Sequence, residues 1–194
     1  MTDAHLRQYL EFLERAEQLK STVRTAYTAA GRRESAAEHS WRLALMAMIF
    51  EDEFSGLDHH RLLKLCLVHD LGEAVSGDIP AVDQTAGAPK AAEERKDLLE
   101  LTSSLPPRVQ EDILALWDEY ENNTTPEAKV VKGLDKLETL IQHNQGPNPG
   151  RAIDFRFNLD YGRRYTAAHP LLEQIRRLVD EATARRAAES GPAD

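Results

Sequence analysis

The chain has 194 residues, 41% of them hydrophobic and 29% charged, with a formal net charge of −9. That length carries one domain with a sizeable core and leaves little room for two. The acidic balance excludes a broad nucleic-acid-binding face, which needs clustered basic residues, but still allows a small phosphorylated ligand held by local cations. No apolar run approaches the roughly 20 residues that span a bilayer, and the charged N-terminus, MTDAHLRQYLEFLERAEQLK, has no apolar core of a signal peptide. A single cysteine, Cys66, rules out an internal disulfide and suits a reducing compartment. The expectation is a cytoplasmic protein with no membrane partner.

Apolar periodicity predicts a first amphipathic helix over residues 4 to 20, with Leu6, Leu10, Leu13 and Leu19 along one stripe. Residues 21 to 34, STVRTAYTAAGRRE, break the pattern and read as a basic loop. Ser35 then opens a capping box, SAAE, in which Ser35 caps the helix and Glu38 reaches back. That helix is expected to run to about residue 53, apolar over most of its circumference and therefore central. Trp41 lies on a different face from His39 and is expected in packing or an interface. Asp58 is expected to cap a third helix ending in CLVHDLGEAVSGDIP, and residues 79 to 90 have loop composition.

Two helices are predicted near 91 to 103 and 107 to 122. A long one follows TTPEAKVVKGLDKLETLIQ, with a threonine cap and Pro126 in its first turn. Residues 144 to 162 read as irregular, and a last helix occupies about 168 to 186. No alternating strand pattern and no repeat is evident. The reading is all-α, one helical-bundle domain over residues 1–186 with a disordered tail at 187–194.

Polar residues inside this helical core carry the chemistry. His39 shares a helix face with Leu43, Met46 and Phe50. His69 shares one with Leu62, Leu65 and Cys66, and is followed by Asp70, Glu73 and Asp78. Asp135 lies mid-helix between Val131 and Leu137. Burying carboxylates requires positive charge nearby, from arginines or a cation. Imidazoles with carboxylates suit a borderline divalent ion such as Mn²⁺, Fe²⁺, Co²⁺ or Zn²⁺. Each position also has an ordinary structural reading: a core histidine held by hydrogen bonds, a chance His-Asp dipeptide, an Asp135 paired with Lys132 or Lys136. The combination of the three segments favours the metal.

The pattern His39, His69-Asp70 and Asp135 resembles the HD-domain metal-dependent phosphohydrolases, an all-α family. RRESAAEHSWRLALMAM, LVHDLGEAVSGDIP and WDEYENNTTPEAKVVKGLDKLE resemble its 5'-deoxynucleotidase branch, the HD-domain-containing 2 type, over about residues 6 to 145. The resemblance implies release of phosphate from deoxyribonucleoside 5'-monophosphates, indifferent to the base and selective against the 2'-hydroxyl. It implies one divalent ion (Mn²⁺, Co²⁺ or Mg²⁺ foremost) on His39, His69, Asp70 and Asp135, with Glu73 and Asp78 as catalytic carboxylates. It places Arg24, fifteen residues before His39, on the substrate. The branch's bacterial members carry tryptophan after that arginine; here Thr25 follows, which gives no comparable flat wall against the 2' position. Charge balance adds Arg32 and Arg33 as candidates to lean toward the phosphate or sugar, and Asp78 as a candidate for the 3'-hydroxyl. The branch also implies a homodimer.

Three other readings are open. Di-iron oxygenases on this fold need further histidines between the His-Asp pair and the last aspartate, and none lies between residues 70 and 135. Guanosine-polyphosphate hydrolases place a Glu-Asp pair where this chain has only Glu73. A non-catalytic nucleotide-binding protein would keep the fold and need no complete ligand set.

Overall fold

A computed structural model of the chain describes residues 2–80, 90–148 and 153–189. Ten helices are described: α1 (Asp3–Ala16), α2 (Ala36–Ile49), α3 (His59–Val68), α4 (Glu73–Ser76), α5 (Lys90–Leu101), α6 (Pro107–Asn122), α7 (Pro126–Gln145), α8 (Phe155–Asp160), α9 (Arg163–Thr166) and α10 (Pro170–Glu189). The expected caps form. Ser35 and Glu38 make the reciprocal capping box, Asp58 accepts from the Arg61 amide, and Thr125 accepts from that of Ala128.

α7 is the axis of the bundle. It packs on α2, α3, α6, α9 and α10, and every residue from Val130 to Asp135 is buried. A helix buried all round belongs to the core, and its polar residues must then find partners inside. Leu134, Leu137 and Leu140 of α7 meet Leu43 of α2, Leu62 and Leu65 of α3 and Leu172 of α10. Cys66 lies fully buried in this cluster, and burial pushes its thiol up to about 12, so it packs and does not react.

Several features depart from the expectations, and one is a short helix, α8, inside residues 144 to 162, which read as irregular. Residues 21 to 34 are not a loop: β1 (Val23–Tyr27) pairs antiparallel with β2 (Arg33–Ser35), Val23 opposite Ser35 and Tyr27 opposite Arg33, with an irregularity between. The protein is therefore helical with one small hairpin. The second helix stops at Ile49, and a 3₁₀ turn over Glu51–Phe54 carries the chain on. The last helix runs past residue 186 to Glu189; the remainder of the expected tail lies outside the described residues. In α1 the leucine stripe faces outward, with Leu6, Leu10 and Leu13 at 45%, 58% and 60% exposure, while Leu19 is buried. Trp41 is 64% exposed, so it serves no core.

Two glycines mark close approaches. A Cβ on Gly133 would stand 2.5 Å from Leu172 Cδ1 and 3.0 Å from the Tyr165 carbonyl, which explains a glycine beside Asp135. A Cβ on Gly146, at the end of α7, would lie 2.0 Å from the Tyr27 carbonyl oxygen. Backbone must move to admit it, so Gly146→Ala is expected to lose about 1–3 kcal/mol, as overpacked sites do. Urea titration checks this; an unchanged midpoint would mean that β1 and α7 are not locked together there.

Candidate metal centre and its cavity

His39, in the second turn of α2, and His69, the C-cap of α3, point at each other across the bundle, with Nε2 atoms 3.3 Å apart. Each has its other ring nitrogen engaged. His69 Nδ1–H donates to the Cys66 carbonyl at 2.9 Å. His39 Nδ1 binds Glu138, a fully buried carboxylate that also accepts from Arg42 Nε at 2.6 Å. A histidine with Nδ1–H so held presents an Nε2 lone pair, as ligating imidazoles do.

Asp70 Oδ2 lies 3.1 Å from His69 Nε2 and 3.7 Å from His39 Nε2, and Asp135 Oδ1 lies 3.2 Å from His39 Nε2. Around an ion with bonds of about 2.1 Å, adjacent ligand atoms stand roughly 3.0–3.5 Å apart, so His39, His69 and Asp70 fit a transition-metal dication as one group, and Asp135 approaches that group through His39. Two imidazole lone pairs facing at such a distance repel unless a positive charge lies between them. The site's appetite for one is visible in His39: burial and Arg24 oppose its protonation, yet Glu138 and Asp135 raise its pKa to about 10. Burial alone would raise Asp70 and Asp135; the neighbouring histidines and, at Asp135, Lys136 instead hold both below the usual carboxylate range. The second oxygen of Asp135 is clamped by Tyr120 O–H at 2.6 Å and Lys136 Nζ at 2.8 Å. That leaves Oδ1 aimed at the histidines.

His69, Asp70 and Asp135 line a cavity of about 630 Å³, which Arg24, Thr25, Glu73 and Asp78 also line, and His39 lies fully buried behind them. Arg24, carried on β1, is largely buried, its side chain 13% exposed. Its Nη1 is 3.4 Å from Asp70 Oδ2, its Nη2 donates to Thr139 Oγ1 at 3.1 Å, and its Nε lies 3.4 Å from Glu34 Oε2. Burial, first, and Glu138 push Glu34 up to about 7, with Arg24 opposing. Glu73 opens α4 and is 5% exposed, and its Oε2 has no hydrogen-bond partner among the described residues. Burial, then Asp70 and Asp78, raise its pKa to about 9. Asp78 follows Gly77, whose φ of +87° turns the chain back over the cavity. Burial raises Asp78 as well, against the pull of Arg24.

Arg32 and Arg33 are not brought to the cavity. Arg32 pairs with Glu38 on the surface, and Arg33 Nε donates to the Arg24 carbonyl at 2.6 Å, stapling the hairpin. Lys132 and Lys136, read as surface residues, are buried or nearly so and line the cavity. Lys132 Nζ is consumed by the C-terminal carbonyls of α6, at 3.3 Å from that of Tyr120 and 3.2 Å from that of Glu121. Glu34, Glu138, Tyr120 and Lys90 were not singled out from sequence. Glu138 alone had a readable signal: an acid three residues after Asp135, directly after Leu137 and one residue before the Thr139–Ile141 stretch.

A family model described as HD domain matches residues 16–176. The 5'-deoxynucleotidase HDDC2 of Bos taurus is 35% identical over 192 residues, covering 96% of this chain and 89% of that protein. Its Homo sapiens counterpart is 36% identical over 155 residues, 77% of this chain and 75% of that protein. A crystal structure of a predicted metal-dependent phosphohydrolase from Magnetospirillum magnetotacticum MS-1 superposes with a TM-score of 0.82 at 30% identity, covering 95% of this chain and 96% of that one. With its two histidines and two aspartates converging from α2, α3 and α7, the chain belongs to the HD-domain family and, within it, to the group of the HDDC2 proteins.

Proposed function

We propose that the protein is a metal-dependent 5'-deoxynucleotidase, hydrolysing deoxyribonucleoside 5'-monophosphates to deoxynucleoside and inorganic phosphate. The observation that carries the reading is the meeting, beside a nucleotide-sized cavity, of the His39–His69–Asp70 cluster with Asp135 against His39, a largely buried arginine and a buried glutamate with one partnerless oxygen. The relatives named 5'-deoxynucleotidase support the substrate class.

His39, His69, Asp70 and Asp135 would hold one divalent ion, with Mn²⁺, Co²⁺ or Mg²⁺ foremost. Such an ion polarises a phosphoryl oxygen and lowers the pKa of a water. Arg24 binds the phosphate and keeps its orientation through Glu34 and Thr139. Glu73, four residues after His69, is the general base: a dication beside Asp70 would favour its ionised form, which accepts a proton from the attacking water. Oxygen of that water bonds to phosphorus as the P–O5' bond breaks, and Asp78 returns a proton to O5' or holds the 3'-hydroxyl. Thr25 stands where a flat side chain would press on the 2' carbon, so discrimination against ribose is expected to be weak.

The test is phosphate release from dAMP and AMP by chelator-stripped protein, with Mn²⁺, Co²⁺, Mg²⁺ or no metal. Metal-restored release from dAMP is expected, with AMP cleaved within about tenfold; that ratio corresponds to about 1.4 kcal/mol. No release from dAMP with any metal would end the reading. A homodimer formed through the exposed Leu6, Leu10 and Leu13 face of α1 is part of the same proposal, and a monomer mass by light scattering would remove it. Among the described residues no helix is long and apolar enough to cross a membrane.

A further inference from the structure

The cavity extends well beyond the metal donors, and α7 runs along it. Asp135, Lys136, Thr139 and His143 all face it, at the three- and four-residue spacing that puts side chains on one helix face. From Asp135 to His143 the helix rises about 12 Å. Long helical side chains lean back toward the N-terminus, so the His143 ring lies somewhat nearer the metal donors than that rise. That is the order of separation between the phosphorus and the base of a nucleoside 5'-monophosphate.

His143 is held there as a neutral donor. Its Nδ1 accepts from Asn158 Nδ2 at 2.9 Å, which places the ring proton on Nε2. Asn158 is 3% exposed, and its own carbonyl is fixed by buried Arg176 at 3.0 Å, so the ring has a rigid support. Burial, and then the charge of Arg24, lower the His143 pKa to about 4, so the ring stays uncharged at neutral pH. Nε2–H has no hydrogen-bond partner among the described residues. Phe157, Ile153 and Thr25 line the same cavity. An uncharged N–H in a cavity that also holds aromatic and aliphatic side chains is a poor phosphate site and a good site for a flat heterocycle bearing an acceptor.

From this placement the geometry points to His143 as a nucleobase-contacting residue. Its Nε2–H donates to the acceptor that all four bases share on their sugar-side edge, N3 of purines and O2 of pyrimidines. That edge shows an acceptor in every base, so a single donor there binds the base without selecting it. The assignment rests on the deoxynucleotidase reading and deepens it: it says how a nucleotide is told from a simple phosphate ester while its base is not read.

The experiment compares kcat/KM for dAMP and for 3-deaza-dAMP, which lacks N3, in the metal-loaded parent, His143→Gln and His143→Leu. The parent is expected to favour dAMP roughly 3- to 10-fold, the worth of one neutral hydrogen bond, and through KM. His143→Leu should erase that preference, and His143→Gln, which keeps an N–H donor, should retain part of it. A parent that treats the two substrates alike overturns the assignment, and this comparison needs no variant to fold. A leucine variant that keeps the full preference overturns it as well, since a purely structural role lowers both substrates together. Failure of the deoxynucleotidase reading has a different signature: no phosphate released by the parent from dAMP, dGMP, dCMP or TMP.

Discussion

Replacing Asp70 with alanine is expected to remove phosphate release, by at least about a thousandfold in kcat/KM, because the dication's contribution to transition-state charge is worth several kcal/mol. The same variant has a readout that does not pass through catalysis. A ligand bound only by the folded state stabilises it by RT ln(1 + [L]/Kd), about 2.7 kcal/mol at a hundredfold excess over Kd. For a chain of this size that is roughly a 5–10 °C rise in melting temperature on adding metal. The parent should show the rise and Asp70→Ala should lose most of it. Asp70 is the sharpest choice because its Oδ2 approaches both histidine Nε2 atoms, at 3.1 and 3.7 Å, and also meets Arg24. Removing it unties the metal and the phosphate-binding arginine together. A variant whose melting temperature still rises with Mn²⁺ or Co²⁺ as the parent's does would show that the ion binds elsewhere.

The convergence of His39, His69 and Asp70 was legible because it is written in short-range signals. His39 lies just behind a capping box and His69 ends an apolar run, so the positions of both on their helices follow from local rules. Asp135 was legible for another reason: a lone acid amid Val131, Leu134 and Leu137 has to be partnered. What stayed hidden depends on distant partners. The two strands of the hairpin are only five and three residues long, its register is irregular, and its turn over Thr28–Arg32 uses Gly31 at φ +85° with no Asn-Gly or Asp-Gly signature. Glu34 alternates with arginines in sequence and looks like one more surface charge until β2 sets it against Arg24. Lys132 and Lys136 have the sequence of an exposed face. Only the packing of α6 and of the Tyr161–Tyr165 segment over α7 turns them inward. In the opposite sense, the leucine stripe of α1 has the right period for a core and finds no core to join, because period reports that a face is apolar and not what covers it.

The Glu73→Gln variant is expected to separate chemistry from binding. Loss of a general base costs about 10²- to 10⁴-fold. It should fall on kcat, with KM and metal content near those of the parent, since glutamine keeps the shape and Glu73 is not among the four donors. The same substitution should stabilise the metal-free protein. Glu73 moves from an ordinary 4.5 to about 9 on folding, driven by burial and by the charges of Asp70 and Asp78. Between those two pH values the folded state keeps a proton that the unfolded chain has released. Stability then falls as pH rises through that window, by at most about 1.4 kcal/mol per unit. Glutamine has no proton to lose, so from pH 6 to 8.5 the variant's melting temperature should fall less steeply than the parent's, the remaining slope coming from Glu34 and His39. Added metal should flatten the parent's decline, because positive charge beside Asp70 removes part of what disfavours the ionised glutamate. A glutamine variant that turns over like the parent would take water activation away from Glu73 and leave Asp78 to supply it. One that is inactive but shares the parent's pH slope would show that Glu73 is ionised in the folded state, and that its partnerless oxygen is matched by a group nearer than the described side chains.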